Sequence, residues 1–384
     1  MMRPMKLAGG ELMFGDGCLE YIKNIPEKKV MIVIGGKSME KNGVLDNVKD
    51  LFESNGAEVR VFKGVEPDPS FSTVWKGANE MKAYKPDLIV GLGGGSVMDA
   101  AKTMWIYYEH PEMTKLDDVL NTKSLPNMGK RARYLCIPTT SGTASEVSRS
   151  IVITDDEKGL KHGYGNMAIM PNIAICDPQV TVSLPEHITA ETGMDALTHA
   201  LEALVSNRAN YLSDILAIQA AKDIIRHLPD ACKDGKNIEA REYMMNASMV
   251  AGMAFTNVSL GIVHSLAQTL GGYFHASHGL LDAIILPYII KYNSQVPYAA
   301  EKYKKMAEAF GQNDLGEIVV ELNQKLGIPM TLKEILPDEE KYLELVPQMA
   351  IDSKNDGCTK TNPIIPEVDV FADLLKLCYY GEEK

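Results

Sequence analysis

Asp195 and His199 stand four residues apart in an Ala/Leu-rich stretch, and His264 and His278 follow downstream, fourteen residues from one another. On a helix, Asp195 and His199 project from one face, one turn apart, and can reach the same ion. Together the four residues offer one carboxylate and three imidazoles. With no soft thiolate among them, that ligand set suits Fe²⁺, Zn²⁺ or Co²⁺. Taken singly, each histidine reads equally well as a hydrogen-bonded core residue. His110, His162, His187 and His227 lie in more polar segments and read as bystanders.

A second chemistry lies upstream. Residues 86–102, PDLIVGLGGGSVMDAAK, run from an apolar strand into three glycines and then a helix. Gly93, Gly94 and Gly95 lack Cβ atoms, so backbone N–H groups there can approach phosphate oxygens at the positive end of the new helix. Ser96 is expected to cap that helix or bond a phosphate, with Asp99 at the capping-box position and Lys102 in solvent. The alternative is a tight turn that binds nothing. The segment is neither GxGxxG nor a P-loop.

Thr139, Thr140, Ser141, Thr143 and Ser145 crowd hydroxyls around Gly142 in PTTSGTASEV (138–147), suited to ribose and nicotinamide or simply to local turn bonding. In GGKSMEKNG (35–43), Gly35 and Gly36 leave room, Ser38 offers a hydroxyl, and Lys37 and Lys41 bring positive charge. That combination favours a 2′-phosphate, hence NADP(H) over NAD(H).

These segments need a scaffold. Apolar β-branched runs at residues 30–36, 57–65, 86–95, 134–140 and 172–178 alternate with amphipathic stretches, predicting an α/β domain with a mainly parallel sheet over 1–178. Residues 41–56 fit one intervening helix, stopped by Gly56. From 179 to 384 strand signals fade and apolar residues recur at three- and four-residue spacing, predicting an all-α domain. Pro185, Pro229, Pro287, Pro329 and Pro337 are expected to separate its helices.

The 384 residues suffice for two domains with substantial cores. A net charge of −12 disfavours nucleic acid and anionic membranes as partners. The six cysteines form no CxxC pair and read as reduced thiols. The N-terminal MMRPMKLAGGELMFG lacks a long apolar core, so a cytoplasmic protein is expected.

Taken together, GLGGGSVMDAAK, PTTSGTASEV, ETGMDALTHALEA (191–203) and the block from Ala247 to Tyr288 resemble the iron-containing (group III) alcohol dehydrogenase family. The resemblance implies a nucleotide-binding α/β domain, a helical metal-binding domain with a dehydroquinate synthase-like architecture, and a cleft between them. It places the metal ligands on Asp195, His199, His264 and His278, the pyrophosphate loop on Gly93 to Ser96, and the nicotinamide-side loop on Thr139, Thr140 and Thr143. Lys161, in GLKHG, and Asp68, in EPDP, fall where the family approaches the ribose. Many members carry a histidine four residues after the third metal ligand; here that position is Gln268, leaving His275 or a ribose hydroxyl as the candidate proton relay. Many NAD-using members have an acidic residue where Gly36 stands, and this segment is closer to the butanol dehydrogenase and aldehyde reductase branch.

The implied activity is metal-dependent, NAD(P)-linked interconversion of short-chain primary alcohols and aldehydes, with Fe²⁺ (or Zn²⁺ in its place) polarising the substrate oxygen. A homodimer or larger homo-oligomer is expected from the family. Phe255, Val258, Leu260 and Tyr273 are candidates for an apolar substrate pocket, or for plain helix packing. The competing readings are a lyase or synthase on the same scaffold, which needs more polar surroundings at the metal, and a non-catalytic nucleotide sensor.

Overall fold

The computed structural model describes residues 5–156 and 159–382. They divide into two compact units, the first holding residues up to 184 together with 235–249, the second holding 185–234 and 250 onward. The expected boundary at 178/179 lies on a short 3₁₀ turn, Pro178–Thr181, shortly before the division at 184/185.

The first unit is built on β1 (Glu11–Phe14), β2 (Lys29–Val33), β3 (Glu58–Phe62), β4 (Leu88–Gly93), β5 (Arg133–Pro138) and β8 (Ile173–Cys176), all parallel, in the order β1-β8-β5-β4-β2-β3. The helices are α1 (Ser38–Lys41), α2 (Val44–Ser54), α3 (Phe71–Tyr84), α4 (Gly95–Glu109) and α5 (Leu116–Leu120). Alternate residues of the central strands feed separate cores. Val30, Ile32, Leu88, Val90 and Leu92 pack with α2, whereas Met31, Val33 and Ile89 pack with α3 and α4. Burial on both faces explains the continuous apolar runs of the central strands.

Two elements lie outside the expected strands. β1, ELMF, is a half-exposed edge strand whose only apolar run is three residues long. β6 (Ser150–Asp155) and β7 (Leu160–Gly165) form a separate antiparallel ribbon.

The chain leaves β2 toward β3 at one edge, then returns to β4 on the other side of β2 and continues outward through β5. The β2/β4 junction is therefore the topological switch point, the place where open parallel sheets leave a crevice beyond the strand ends. Gly35 and Gly36 follow β2 there, and Gly94 follows β4.

Lys102 is not solvated: it is fully buried, and its Nζ donates to the carbonyls of Ser148 and Ser150 at 3.0 and 3.1 Å. Asp99 makes no capping box; its carboxylate accepts from Ser145 Oγ (2.6 Å) and from the Val152 N–H (2.9 Å), tying α4 to β6. Glu146 is buried nearby, and desolvation pushes its carboxyl up from 4.5 to about 7 against the pull of the Lys102 ammonium. A raised carboxyl pKa means that the folded protein holds a proton which the unfolded chain has released, so stability falls as pH rises from 4.5 to about 7. Glu146→Gln should remove that slope, gaining up to about 3 kcal/mol over the parent at pH 8 relative to pH 4. Urea melts at the two pH values check this.

The second unit contains α6 (Glu186–Val205), α7 (Tyr211–Lys233), the end of α8 (Ile238–Val258), α9 (Ile262–Phe274), α10 (His278–Asn293), α11 (Pro297–Glu308), α12 (Leu315–Lys325), α13 (Glu339–Asn355) and α14 (Val368–Tyr380). It has no strand among the described residues. Pro229 and Pro287 do not separate helices: they lie inside α7 and α10. At Pro287 the missing N–H frees the Ala283 carbonyl, which accepts instead from the buried Asn323 Nδ2 at 2.7 Å, so α10 continues. The six cysteines are all free thiols. No single helix among the described residues is long and apolar enough to cross a membrane.

Candidate nucleotide and metal sites

In the first unit, the glycine and hydroxyl loops are neighbours because β4 and β5 pair in register from Leu88↔Arg133 to Gly93↔Pro138. The Thr139 N–H donates to the Gly93 carbonyl at 3.0 Å. A Cβ on Gly95 would lie 2.5 Å from Thr143 Cγ2, so that contact depends on glycine, whereas one on Gly94 would lie a tight 3.3 Å from Thr140 Cγ2. Gly94, not Ser96, occupies the N-cap of α4, and no side chain caps it. The first-turn N–H groups of α4 are thus available to an anion, and a pyrophosphate fits that cradle.

Gly36 and Ser38 are exposed beyond β2, with Ser38 opening α1, and nothing lies within 4 Å of a Cβ built on Gly36. Lys161 and Asp68, remote in sequence, form an ion pair at 2.8 Å. Asp68 holds a left-handed backbone (φ 54°).

In the second unit, α6 carries Asp195 and His199 one turn apart, both buried. Glu202 follows on the same face. Gly261 begins α9 without a side-chain cap, and two of the helix's orphan N–H groups are satisfied from elsewhere: Ile262 donates to Asn362 Oδ1 (3.3 Å) and Val263 to Glu202 Oε1 (2.7 Å). The other Glu202 oxygen lies 2.7 Å from His264 Nδ1. One carboxylate therefore caps α9 and fixes the His264 tautomer, placing the proton on Nδ1 and the lone pair on Nε2.

His264 Nε2 lies 3.6 Å from Asp195 Oδ1, and His199 Nε2 lies 3.5 Å from the same oxygen. The His264 ring stacks on that of His199 at 4.6 Å and meets that of His278 edge-on at 5.3 Å. Asp195, His264, His278 and Asp282 each present a donor atom within 4.8 Å of the others. His199 stands beside this group, between His264 and Phe255, whose ring it stacks on at 4.4 Å.

The donor set fits a divalent cation. His264 Nε2, Asp195 Oδ1 and both Asp282 oxygens are buried and make no hydrogen bond, a costly state for polar atoms unless a cation satisfies them. Separations of 3.3–3.6 Å are long for hydrogen bonds. They match the roughly 3.4 Å edge of a tetrahedron of ligands about 2.1 Å from one ion.

The electrostatics agree. Burial opposes the His264 imidazolium, but Asp282, Glu202 and Asp195 outweigh it and hold its pKa well above the ordinary value. Burial also opposes the Asp195 carboxylate, yet His199, His264 and His278 keep its pKa below the usual range. Without metal, protons supply the positive charge. A divalent cation takes their place, so metal affinity rises with pH.

Gly279 determines how closely α10 approaches α6. A Cβ there would lie 2.2 Å from the Glu191 carbonyl oxygen and 3.4 Å from Asp195 Cβ. Gly279→Ala should force α10 away from Asp195, costing about 1–3 kcal/mol in stability. Thermal melts with elemental analysis should show a lower melting temperature together with reduced bound metal.

His275 is the exposed C-cap of α9 in a left-handed conformation (φ 54°). Gln268 is half-buried, its amide 4.0 Å from Cys358 Sγ. Phe255, Val258 and Leu260 are buried, and the Tyr273 hydroxyl donates to Asp352 Oδ2 at 2.7 Å. Sequence patterns alone assign no role to Glu202, Gly279 or Asp282. Glu202 had a helical signal, three residues after His199 and seven after Asp195, and Asp282 sits four after His278.

Comparison with known proteins bears on both sites. Residues 10–178 match the model described as iron-containing alcohol dehydrogenase, and residues 189–379 match the C-terminal model of the Fe-containing alcohol dehydrogenase family. The NADPH-dependent butanol dehydrogenase of Clostridium saccharobutylicum is 42% identical over 97% of each chain. The 1-propanol dehydrogenase of Salmonella typhimurium is 35% identical over 95% of this chain and 97% of its own length. Among solved structures, the iron-containing alcohol dehydrogenase of Thermococcus thioreducens aligns with a TM-score of 0.91 at 31% identity, over 98% of this chain and 99% of that one. With both family models matched in order along the sequence, the chain belongs to the iron-containing alcohol dehydrogenases.

Proposed function

We propose that the protein is a metal-dependent, NAD(P)-linked alcohol dehydrogenase and aldehyde reductase acting on short-chain primary alcohols and aldehydes, with NADP(H) preferred. The observation that carries this reading is the buried group of donors without hydrogen bonds around Asp195 and His264. The resemblance assigns its ligands as Asp195, His199, His264 and His278. Similarity to a butanol and a 1-propanol dehydrogenase supports the substrate class, and the NADPH dependence of the former supports the cofactor.

A divalent ion held there supplies Lewis acidity toward the substrate oxygen, and bound NAD(P)H supplies the hydride. The chain's own residues do the rest. Glu202 keeps the His264 lone pair directed away from Nδ1. Phe255, stacked on His199, gives the metal's surroundings an apolar wall that suits an alkyl chain and excludes water. In the first unit, the α4 N-terminus and the Gly94–Thr140 and Gly95–Thr143 contacts shape a pyrophosphate seat. Lys161 and Asp68, an ion pair at 2.8 Å, are assigned to the ribose by the family resemblance. The exposed side chain of His275 is the candidate proton carrier. We place the enzyme in the cytoplasm as a homodimer or larger assembly, by analogy with its family.

The test is NADPH and NADH oxidation by Fe²⁺-loaded protein with straight-chain aldehydes of two to six carbons. NADPH turnover that exceeds NADH turnover and peaks near butanal is expected. Absence of turnover with every aldehyde would refute the substrate assignment.

A further inference from the structure

Asp282 belongs to none of the four ligand positions that the family resemblance assigns, yet the fold directs it into the same space. His278 and Asp282 occupy the first and second turns of α10 on one face, as Asp195 and His199 do on α6. The two helices pack together, with Gly279 permitting the close approach at Asp195. Each helix thus contributes one carboxylate and one imidazole.

Asp282 is fully buried, and neither of its oxygens accepts a hydrogen bond. The basic group beside it is His278 Nε2, at 3.3 Å from Oδ2, on a ring that is 39% exposed. A carboxylate sealed from water without donors is costly to keep. The surrounding helix is held firmly in place: the next residue's carbonyl, freed by Pro287, is anchored by Asn323. The separation between Asp282 and His278 is that of two ligands on one ion, as for Asp195 with His199 and His264.

We infer that Asp282 is a further metal ligand, so that the centre carries two carboxylates rather than one. This rests on the metal-centre reading above and extends it to selectivity. A second hard oxygen donor favours oxygen-seeking ions such as Mn²⁺ and Fe²⁺ over Zn²⁺, which a histidine-dominated set serves well.

The test uses metal-free full-length protein and Asp282→Asn, with Mn²⁺ and Zn²⁺ affinities measured by chelator competition. The Mn²⁺ affinity of the variant should fall at least about tenfold, and that of Zn²⁺ by less. Metal-free Asp282→Asn should melt close to the parent, because the amide matches the carboxyl in size and shape, which separates lost ligation from lost folding. Unchanged affinities, or an equal loss for both ions, would overturn the assignment. Should the variant fail to fold, anomalous diffraction from Mn²⁺-loaded wild-type crystals decides. An ion about 2.0–2.2 Å from an Asp282 oxygen supports the proposal, and one beyond ligand distance refutes it. If the wild-type protein binds neither ion, the metal-centre reading itself fails.

Discussion

Replacing His264 by alanine should abolish metal binding and lower kcat/KM for aldehyde reduction on the order of 10³-fold or more. His264 is central to the group geometrically: its ring stacks on His199, meets His278, and directs Nε2 toward Asp195. Alanine removes that nitrogen and leaves one Glu202 oxygen unpaired. The other oxygen still accepts from the Val263 N–H, so the start of α9 keeps its cap. The expected signature is protein with near-wild-type helical content, no stoichiometric iron or zinc on elemental analysis, and no NADPH oxidation. A variant that retained turnover would place the chemistry elsewhere.

The second large effect concerns the cofactor. Gly36→Asp should lower the NADPH-to-NADH ratio of kcat/KM on the order of 100-fold, by placing a carboxylate where a 2′-phosphate would lie. Gly36 follows β2 at the sheet's switch point, where an acidic side chain bonds the ribose hydroxyls in NAD-specific sites. Its backbone is not left-handed and its Cβ position is open, so aspartate enters without strain or collision. Lys37 and Lys41 remain to offset part of the new charge. Initial rates with each cofactor at fixed aldehyde measure the ratio; an unchanged value would remove Gly36 from the ribose site.

Much of this scaffold was legible because strong local patterns coincided with burial. Four of the five expected strands, β2, β4, β5 and β8, were marked by apolar runs that the fold buries on both faces; β3, on the sheet edge, alternates instead. Gly56 ends α2 with the positive φ that its position suggested. The missed elements carry weaker signals. β1 has a three-residue apolar run on a sheet edge, and β6–β7 is a two-stranded ribbon in which only Ile151 and Ile153 are buried. Pro229 and Pro287 misled because tertiary context overrode their usual punctuation, most visibly where Asn323 takes over the Ala283 carbonyl.

The site residues divide in a similar way. The Asp195/His199 spacing is a helical signal, and the structure brings His264 and His278 to that pair although the intervening chain folds through two more helices. Glu202 and Asp282 escaped notice because an acidic residue on a helix usually faces solvent, and only packing shows that these two are buried. Lys102 illustrates the same limit, since the carbonyls of Ser148 and Ser150 that hold it lie more than forty residues away. Gly279 is unreadable without the Glu191 carbonyl that its missing side chain admits.

The most direct test of the central claim is NADPH oxidation with butanal by protein stripped of metal, before and after anaerobic addition of one equivalent of Fe²⁺. Negligible turnover is expected from the stripped protein and full activity at one ion per chain, with no recovery for His264→Ala. Undiminished turnover by protein confirmed to be metal-free would contradict a metal-dependent reaction.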